Sequence, residues 1–262
     1  MFSSTLALVV LVVYWYALVL FFISLAQRDN SIVDIAWGPG IALISLATLW
    51  WHEPSGILPV VGTTLVMIWG TRLAVHVWLR NWGRGEDWRY ARLRTTWGPW
   101  FVPRSFVQVF LLQGFLLGVV ALPILWINTF GGSMSVLAWI GAGVWVMGFA
   151  WESIADIQLT RFLKNPTSAG RILKSGLWKY SRHPNYFGEI AQWWGLWLMA
   201  CGVTGGWATV LGPLLITHLI VNVSGIPLLE EKHKKNQAYR TYGRQTNALI
   251  PWFPRKKTPT TS

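Results

Sequence analysis

Seven stretches of this chain, about 5–26, 32–51, 56–80, 105–127, 133–160, 184–203 and 205–229, are mostly apolar over the length a bilayer demands. A helix crossing the hydrocarbon needs about 20 such residues, and 1.5 Å of rise per residue sets that figure. No other feature narrows the fold so far. A chain of 262 residues with seven such runs reads as an all-α, polytopic integral membrane protein of seven transmembrane helices. Charged residues make up 12% of the chain, about half the share of a soluble domain. That shortage excludes disorder, a coiled coil and a nucleic-acid-binding arm. The 20 tryptophans suit the amphipathic interface of a bilayer. The first run carries no Lys or Arg through Leu25 and is too long for a signal-peptide core, so it reads as a retained helix. Loop chemistry separates the runs at His52–Gly56, Trp97–Pro99, Gly131–Ser133 and Gly202–Gly206.

The basic residues set an expected orientation. Six (Arg80, Arg84, Arg89, Arg92, Arg94, Arg104) cluster around the connection after the third run. Six (Arg161, Lys164, Arg171, Lys174, Lys179, Arg182) lie between the fifth and sixth, and eight follow the seventh. With Arg28 and Arg72 these are all 22, and the connections 52–55, 128–133 and 202–206 hold none. Seven spans put every basic segment on one side, which the positive-inside rule makes cytoplasmic, with the C-terminus there too. In a bacterium the expected location is the inner membrane. The net charge of +12 therefore reads as topology, and no nucleic-acid partner is expected. One domain is expected over 1–254, with a flexible basic tail over 255–262.

Ionisable residues inside a span are costly and mark function by default. Asp34 sits at the cytoplasmic start of the second run. Arg72, His76 and Arg80 recur at i, i+4 and i+8 in the third, with Trp69 one turn earlier. Glu152 and Asp156 repeat the spacing in the fifth run; Asn185, Glu189 and Trp193 do so in the sixth. Four polar stripes at one end suggest a shared wet cavity, although paired charges pinning a bundle are the plainer alternative. The flanking Arg and Lys suit an anionic partner through bidentate contacts, or lipid headgroups. There is no Gly-x-Gly-x-x-Gly or phosphate loop, so neither a Rossmann domain nor an ATP motor is present. The five histidines lack paired metal spacing, and Cys201 has no partner cysteine, so no metal site is expected.

From Gly148 to Pro254, centred on Ser181-Arg-His-Pro-Asn-Tyr-Phe-Gly-Glu189, the chain resembles the membrane steroid 5α-reductase-like superfamily, and within it a bacterial reductase-like branch. Supporting blocks are Ser31–Gly38, Trp69–His76, Gly85–Tyr90 and Val223–Glu231, with Tyr239, Tyr242 and Ala248–Trp252. The resemblance implies a seven-helix reductase that uses NADPH to reduce the activated C=C bond of a 3-oxo-Δ4 steroid or related lipid enone. It implies that Asn185 and Glu189 hold the nicotinamide end, with Trp193 a turn further. Asp156, Arg171 and Tyr180 would lie along the nucleotide, and Arg161, Lys164 and Arg182 near its phosphates, with Arg80, His183, Glu231, Tyr239 and Tyr242 completing the cofactor set. Arg72 matches an arginine of the family's third helix, and Asp34 the place of its substrate-side glutamate.

Two departures matter. Trp69 stands where the steroid enzymes carry a tyrosine that polarises the substrate carbonyl, and Glu230-Glu231 stand where they carry histidine. Enone reduction needs a donor on the developing oxyanion and a proton at the α-carbon. The candidates here are His76, a protonated Asp34 or the Trp69 indole, with Arg72 holding the network. Arg-His-Pro with a later Glu-Glu pair also resembles the isoprenylcysteine and phospholipid methyltransferases, which use S-adenosylmethionine. A non-catalytic lipid-binding protein is the third reading. The expected partners are a lipid-soluble small molecule and membrane lipid, with no obligate protein.

Overall fold

The computed structural model describes residues 1–168 and 170–255. Within them the chain is helical, with no strand. The helices are α1 (Phe2–Gln27), α2 (Ile32–His52), α3 (Leu58–Asn81), α4 (Trp88–Trp97), α5 (Phe101–Ser105), α6 (Leu112–Val120), α7 (Leu122–Phe130), α8 (Val136–Lys164), α9 (Pro184–Cys201), α10 (Leu211–His218), α11 (Ile226–His233) and α12 (Gln237–Gln245). Apart from Arg255, the basic tail expected over 255–262 lies outside the described residues.

Among the described residues, six segments are long and apolar enough to cross a membrane: α1, α2, α3, Trp88–Val120, α8 and Gly206–His233. This is an integral, multi-pass membrane protein by length and composition. The expected sixth span does fold as α9, but Asn185, Glu189 and Gln192 dilute its apolar character and it is not among the six. Two expected single spans are broken. The fourth begins earlier, at Trp88, passes through a π-helical stretch at Phe106–Leu111, and ends at Val120 before Pro123. The last is interrupted by π-helical Leu219–Val223, where Ser224 N–H reaches back to the Leu219 carbonyl at 2.8 Å, ahead of Pro227. Proline lacks the N–H and clashes with the preceding turn, so an apolar run alone does not make one helix.

The described chain divides into two compact units. The first comprises Met1–Trp139 with Trp197–Gly212. Only 17% of the apolar window of α1 is buried, so most of that face is left for lipid rather than for protein. Its inner side packs Ala17 and Phe21 with Val33, Tyr90, Val109 and Phe110, and Phe21 lies 5.0 Å from the Phe106 ring. α2 and α3 cross at glycines: a Cβ on Gly38 would stand 2.2 Å from the Gly70 carbonyl oxygen. Lipid is as apolar as leucine, so close backbone approach is what drives such helices together. Buried Asn128 adds a polar tie, donating to the Ser45 carbonyl at 2.8 Å and to Thr63 Oγ1 at 3.1 Å.

The second unit comprises Ile140–Leu196 with Pro213–Ser262. Its axis is the pair α8 and α9. Gly141 and Gly148 on one helix, and Gly188 and Gly195 on the other, each fall two turns apart and so share a face. A Cβ on Gly188 would lie 2.5 Å from the Gly148 carbonyl oxygen, and one on Gly195 2.7 Å from that of Gly141. This seam brings Glu152 and Asp156 directly against α9.

Candidate functional site

In the first unit, two sequence blocks close into one network. Asp34, in the first turn of α2, receives Arg89 Nη2 on Oδ2 at 2.5 Å and the Tyr90 hydroxyl on Oδ1 at 2.9 Å. Gln113 Nε2 donates to the Tyr90 oxygen at 3.4 Å, and Trp37 Nε1 donates to Gln113 Oε1 at 2.6 Å. Both Asp34 oxygens therefore accept hydrogen bonds from within the protein. Asp87 caps α4 by accepting Arg89 N–H at 2.9 Å, and its own N–H donates to Ser31 Oγ at 2.7 Å. Burial raises the Asp87 carboxyl, but hydrogen bonds from Arg89 and the Arg89 and Arg80 charges outweigh it and hold it below the usual range. Glu86 takes Arg94 in a fork at 2.9 and 3.1 Å and also accepts Asn30 N–H. What reads in sequence as a charged loop is thus a clasp on the start of α2.

On α3, Trp69 is buried, Arg72 and His76 are half-buried, and Arg80 is exposed at the helix end. The Gly38–Gly70 crossing of antiparallel neighbours sets Asp34, one turn before Gly38, level with the 72–76 stretch.

In the second unit, Asn185 Nδ2 donates to Asp156 Oδ1 at 3.1 Å, and Gln192 Nε2 donates to Glu152 Oε2 at 2.6 Å. Trp193 is buried, and Glu189 is half-buried between these pairs in sequence. The polar stripes of α8 and α9 therefore meet. Arg161 and Lys164 are exposed in the last turn of α8, and Arg171 is exposed after its end.

Arg182 is taken up within the protein. Its Nε and Nη2 contact Glu230 Oε1 at 2.9 Å, and Nη1 donates to the Gly243 and Thr246 carbonyls at 2.8 and 2.9 Å. His183 Nε2 and the Tyr239 hydroxyl meet the same Glu230 oxygen at 3.2 and 3.0 Å. Burial lowers the His183 pKa, partly offset by the Glu230 carboxylate, while Arg182 and His233 lower it further. The Tyr242 hydroxyl donates to the Trp178 and Ser181 carbonyls, and burial raises it above the phenolic norm. Tyr180 accepts Trp252 N–H through its carbonyl at 2.9 Å and meets the Phe253 ring. These contacts fasten the segment after α12 onto the Arg-His-Pro motif. Glu231, by contrast, is exposed and pairs with Lys234 at 3.3 Å, so the acid at the centre of this cluster is its neighbour Glu230. An open groove of about 560 Å³ borders the cluster, where Lys234, Arg240 and Arg244 supply cations.

The family pattern described as "Protein of unknown function (DUF1295)" matches residues 20–246, most of the chain and every candidate cofactor or catalytic residue named from the sequence. The chain belongs to the DUF1295 family. This family is steroid 5α-reductase-like, in agreement with the resemblance read from the motifs. Over 67 residues the chain is 37% identical to 3-oxo-5-alpha-steroid 4-dehydrogenase 1 of Homo sapiens, and equally to that of Macaca fascicularis. The match covers 25% of this chain and 26% and 25% of those proteins, so the chain aligns with about a quarter of the length of the curated relatives it matches. No solved structure matches.

Within this DUF1295 protein, the structure joins Asn185 to Asp156. It gathers Arg182, His183 and Tyr239 on Glu230, and leaves Arg80, Arg161, Lys164, Arg171 and Glu231 exposed. Sequence reasoning passed over Gln192, Glu230, Arg89 and Tyr90 as site residues. Gln192 was findable, being seven residues from Asn185 and on the same helical stripe. No group of three or more metal-ligating side chains occurs among the described residues.

Proposed function

We propose that this membrane protein is an NADPH-dependent reductase acting on the activated C=C bond of a lipid-soluble enone, of which 3-oxo-Δ4 steroids are the model. The observation that carries the reading is the meeting of the α8 and α9 polar stripes at Asp156–Asn185 and Glu152–Gln192, inside the region that matches a steroid 5α-reductase-like family. Buried amides and carboxylates at one end, and exposed Arg161, Lys164 and Arg171 at the other, fit a ligand that is a neutral ring at one end and a phosphate ester at the other. When bound, NADPH would supply the hydride.

The chain's own residues would do the rest. Asn185 and Glu189 orient the nicotinamide end, Trp193 shields it from water, and the three exposed cations neutralise phosphate. Asp34 serves as an acceptor that fixes Arg89 and Tyr90. Polarisation of the substrate carbonyl then falls to His76 or the Trp69 indole N–H, with Arg72 positioning them. Seven spans, counting α9, would place this chemistry and the C-terminus at the cytoplasmic face.

The pairing of Arg182 and His183 with Glu230 favours one second reading, since it joins the Arg-His-Pro and Glu-Glu elements shared with S-adenosylmethionine-dependent membrane methyltransferases. Calorimetric titration of detergent-purified protein with NADPH, NADH and S-adenosylmethionine separates the two. The reductase reading expects saturable NADPH binding that is lost in Asn185→Ala/Glu189→Ala. Binding of S-adenosylmethionine without NADPH would replace it with the methyltransferase.

A further inference from the structure

Gln192 is 1% exposed, and its amide orientation is fixed by chemistry. Its Nε2 donates to the Glu152 carboxylate at 2.6 Å and to the Gly188 carbonyl at 3.2 Å. Turning the amide over would set its oxygen against two acceptors. Oε1 is thereby directed away from Glu152, and it is buried with no donor among the described residues. Buried side-chain acceptors in this condition are rare in folded proteins and call for a partner.

Gln192 shares its stripe with Asn185 and Glu189, and the facing stripe of α8 carries Glu152 and Asp156. The polar side chains of these two stripes are amides, carboxylates and the Trp193 indole, and neither stripe itself carries a Lys or Arg beside Gln192. The acceptor Oε1 is complemented by a neutral group bearing N–H donors.

We propose that Gln192 is a ligand-binding residue whose Oε1 accepts an N–H from the carboxamide of the bound dinucleotide, with Glu152 as the positioning residue that holds the amide in that sense. The inference rests on the NADPH reading above and deepens it by naming what recognises the carboxamide.

The test compares NADPH with its 3-acetylpyridine analogue, which keeps the carbonyl and replaces the NH₂ by methyl. Binding of both to the full-length, detergent-purified protein is measured by calorimetry. Wild type should favour NADPH by about tenfold, the scale of one buried hydrogen bond. In Gln192→Met that ratio should fall to about one. The pair Glu152→Gln/Gln192→Met, which strands no carboxylate beside an apolar side chain, should behave alike and guards against a folding defect in the single variant. A ratio near one in wild type would assign Oε1 to a bound water and overturn the proposal. Discrimination that persists unchanged in both variants would assign the carboxamide to another residue and overturn it too. Failure of wild type to bind either dinucleotide would instead defeat the NADPH reading, and this inference with it.

Discussion

At the scale of single residues, the chain hides its polar chemistry by joining groups that are distant in sequence. Tyr90 is 6% exposed, yet its hydroxyl reaches Asp34 at 2.9 Å across 56 positions. Tyr90→Phe keeps the packing and removes that bond, so it should lower stability by about 1 kcal/mol. A drop in thermal unfolding midpoint in detergent checks this; an unchanged midpoint would mean that Arg89 alone holds the carboxylate. Glu230 makes a larger claim, because one of its oxygens meets Arg182, His183 and Tyr239. Glu230→Gln weakens charge-assisted bonds and should speed proteolytic release of the segment after α12, while NADPH binding at α9 changes little. Adjacent Glu230 and Glu231 were indistinguishable in the sequence. They sit about 100° apart on α11, and only the arrival of Arg182 decides which one turns inward. Arg182 was hard to read for a related reason: a basic residue beside a motif looks like a phosphate ligand until backbone carbonyls are found to occupy it.

At the scale of elements, glycine seams decide which helices meet. Gly188→Ala would drive a Cβ to 2.5 Å from the Gly148 carbonyl oxygen, which is backbone and cannot swing aside. It should part α8 from α9 and abolish NADPH binding. Gly143→Ala on the same α8 meets nothing within 4 Å and should be neutral or stabilise by up to about 1 kcal/mol through helix propensity. Equal behaviour of the two variants would show that the seam does not position the site.

The long helices were legible because about 20 apolar residues admit few alternatives in lipid: α1, α2, α3 and α8 lie within a few residues of the runs that announced them. The π-helical stretches at Phe106–Leu111 and Leu219–Val223 were not, since hydrophobicity is continuous across them and only the hydrogen-bond register changes. Trp88–Trp97 was read as loop because its charges mask a helix capped by Asp87. The i, i+4 spacing set Asp156 and Asn185 on polar stripes of their helices, but their hydrogen bond is seen only in the structure.

At the scale of the whole molecule, the long apolar helices and their outward hydrophobic side chains describe a protein that lives in a membrane. The Arg182–Glu230–His183 cluster also gives the fold a pH dependence. His183 titrates below its ordinary value of about 6.5, so just below that pH the unfolded chain binds a proton that the folded chain refuses. This part of the stability is full above about pH 6.5 and falls as the medium acidifies, by at most about 1.4 kcal/mol per pH unit for one proton. Unfolding midpoints taken between pH 8 and pH 5 should show the decline, and His183→Gln should flatten it. A midpoint that rises on acidification would reverse the sign assigned to His183.

The central claim is that the chain moves a hydride from NADPH to a lipid enone. Purified protein in liposomes, supplied with NADPH deuterated at the transferring position and a panel of 3-oxo-Δ4 steroids and related enones, tests it by mass spectrometry of the extracted lipid. The expected product has gained two hydrogens across the C=C bond, one of them deuterium from the cofactor. Enones recovered unchanged while NADPH is bound would contradict the account, as would a product that carries a methyl group when S-adenosylmethionine is supplied instead.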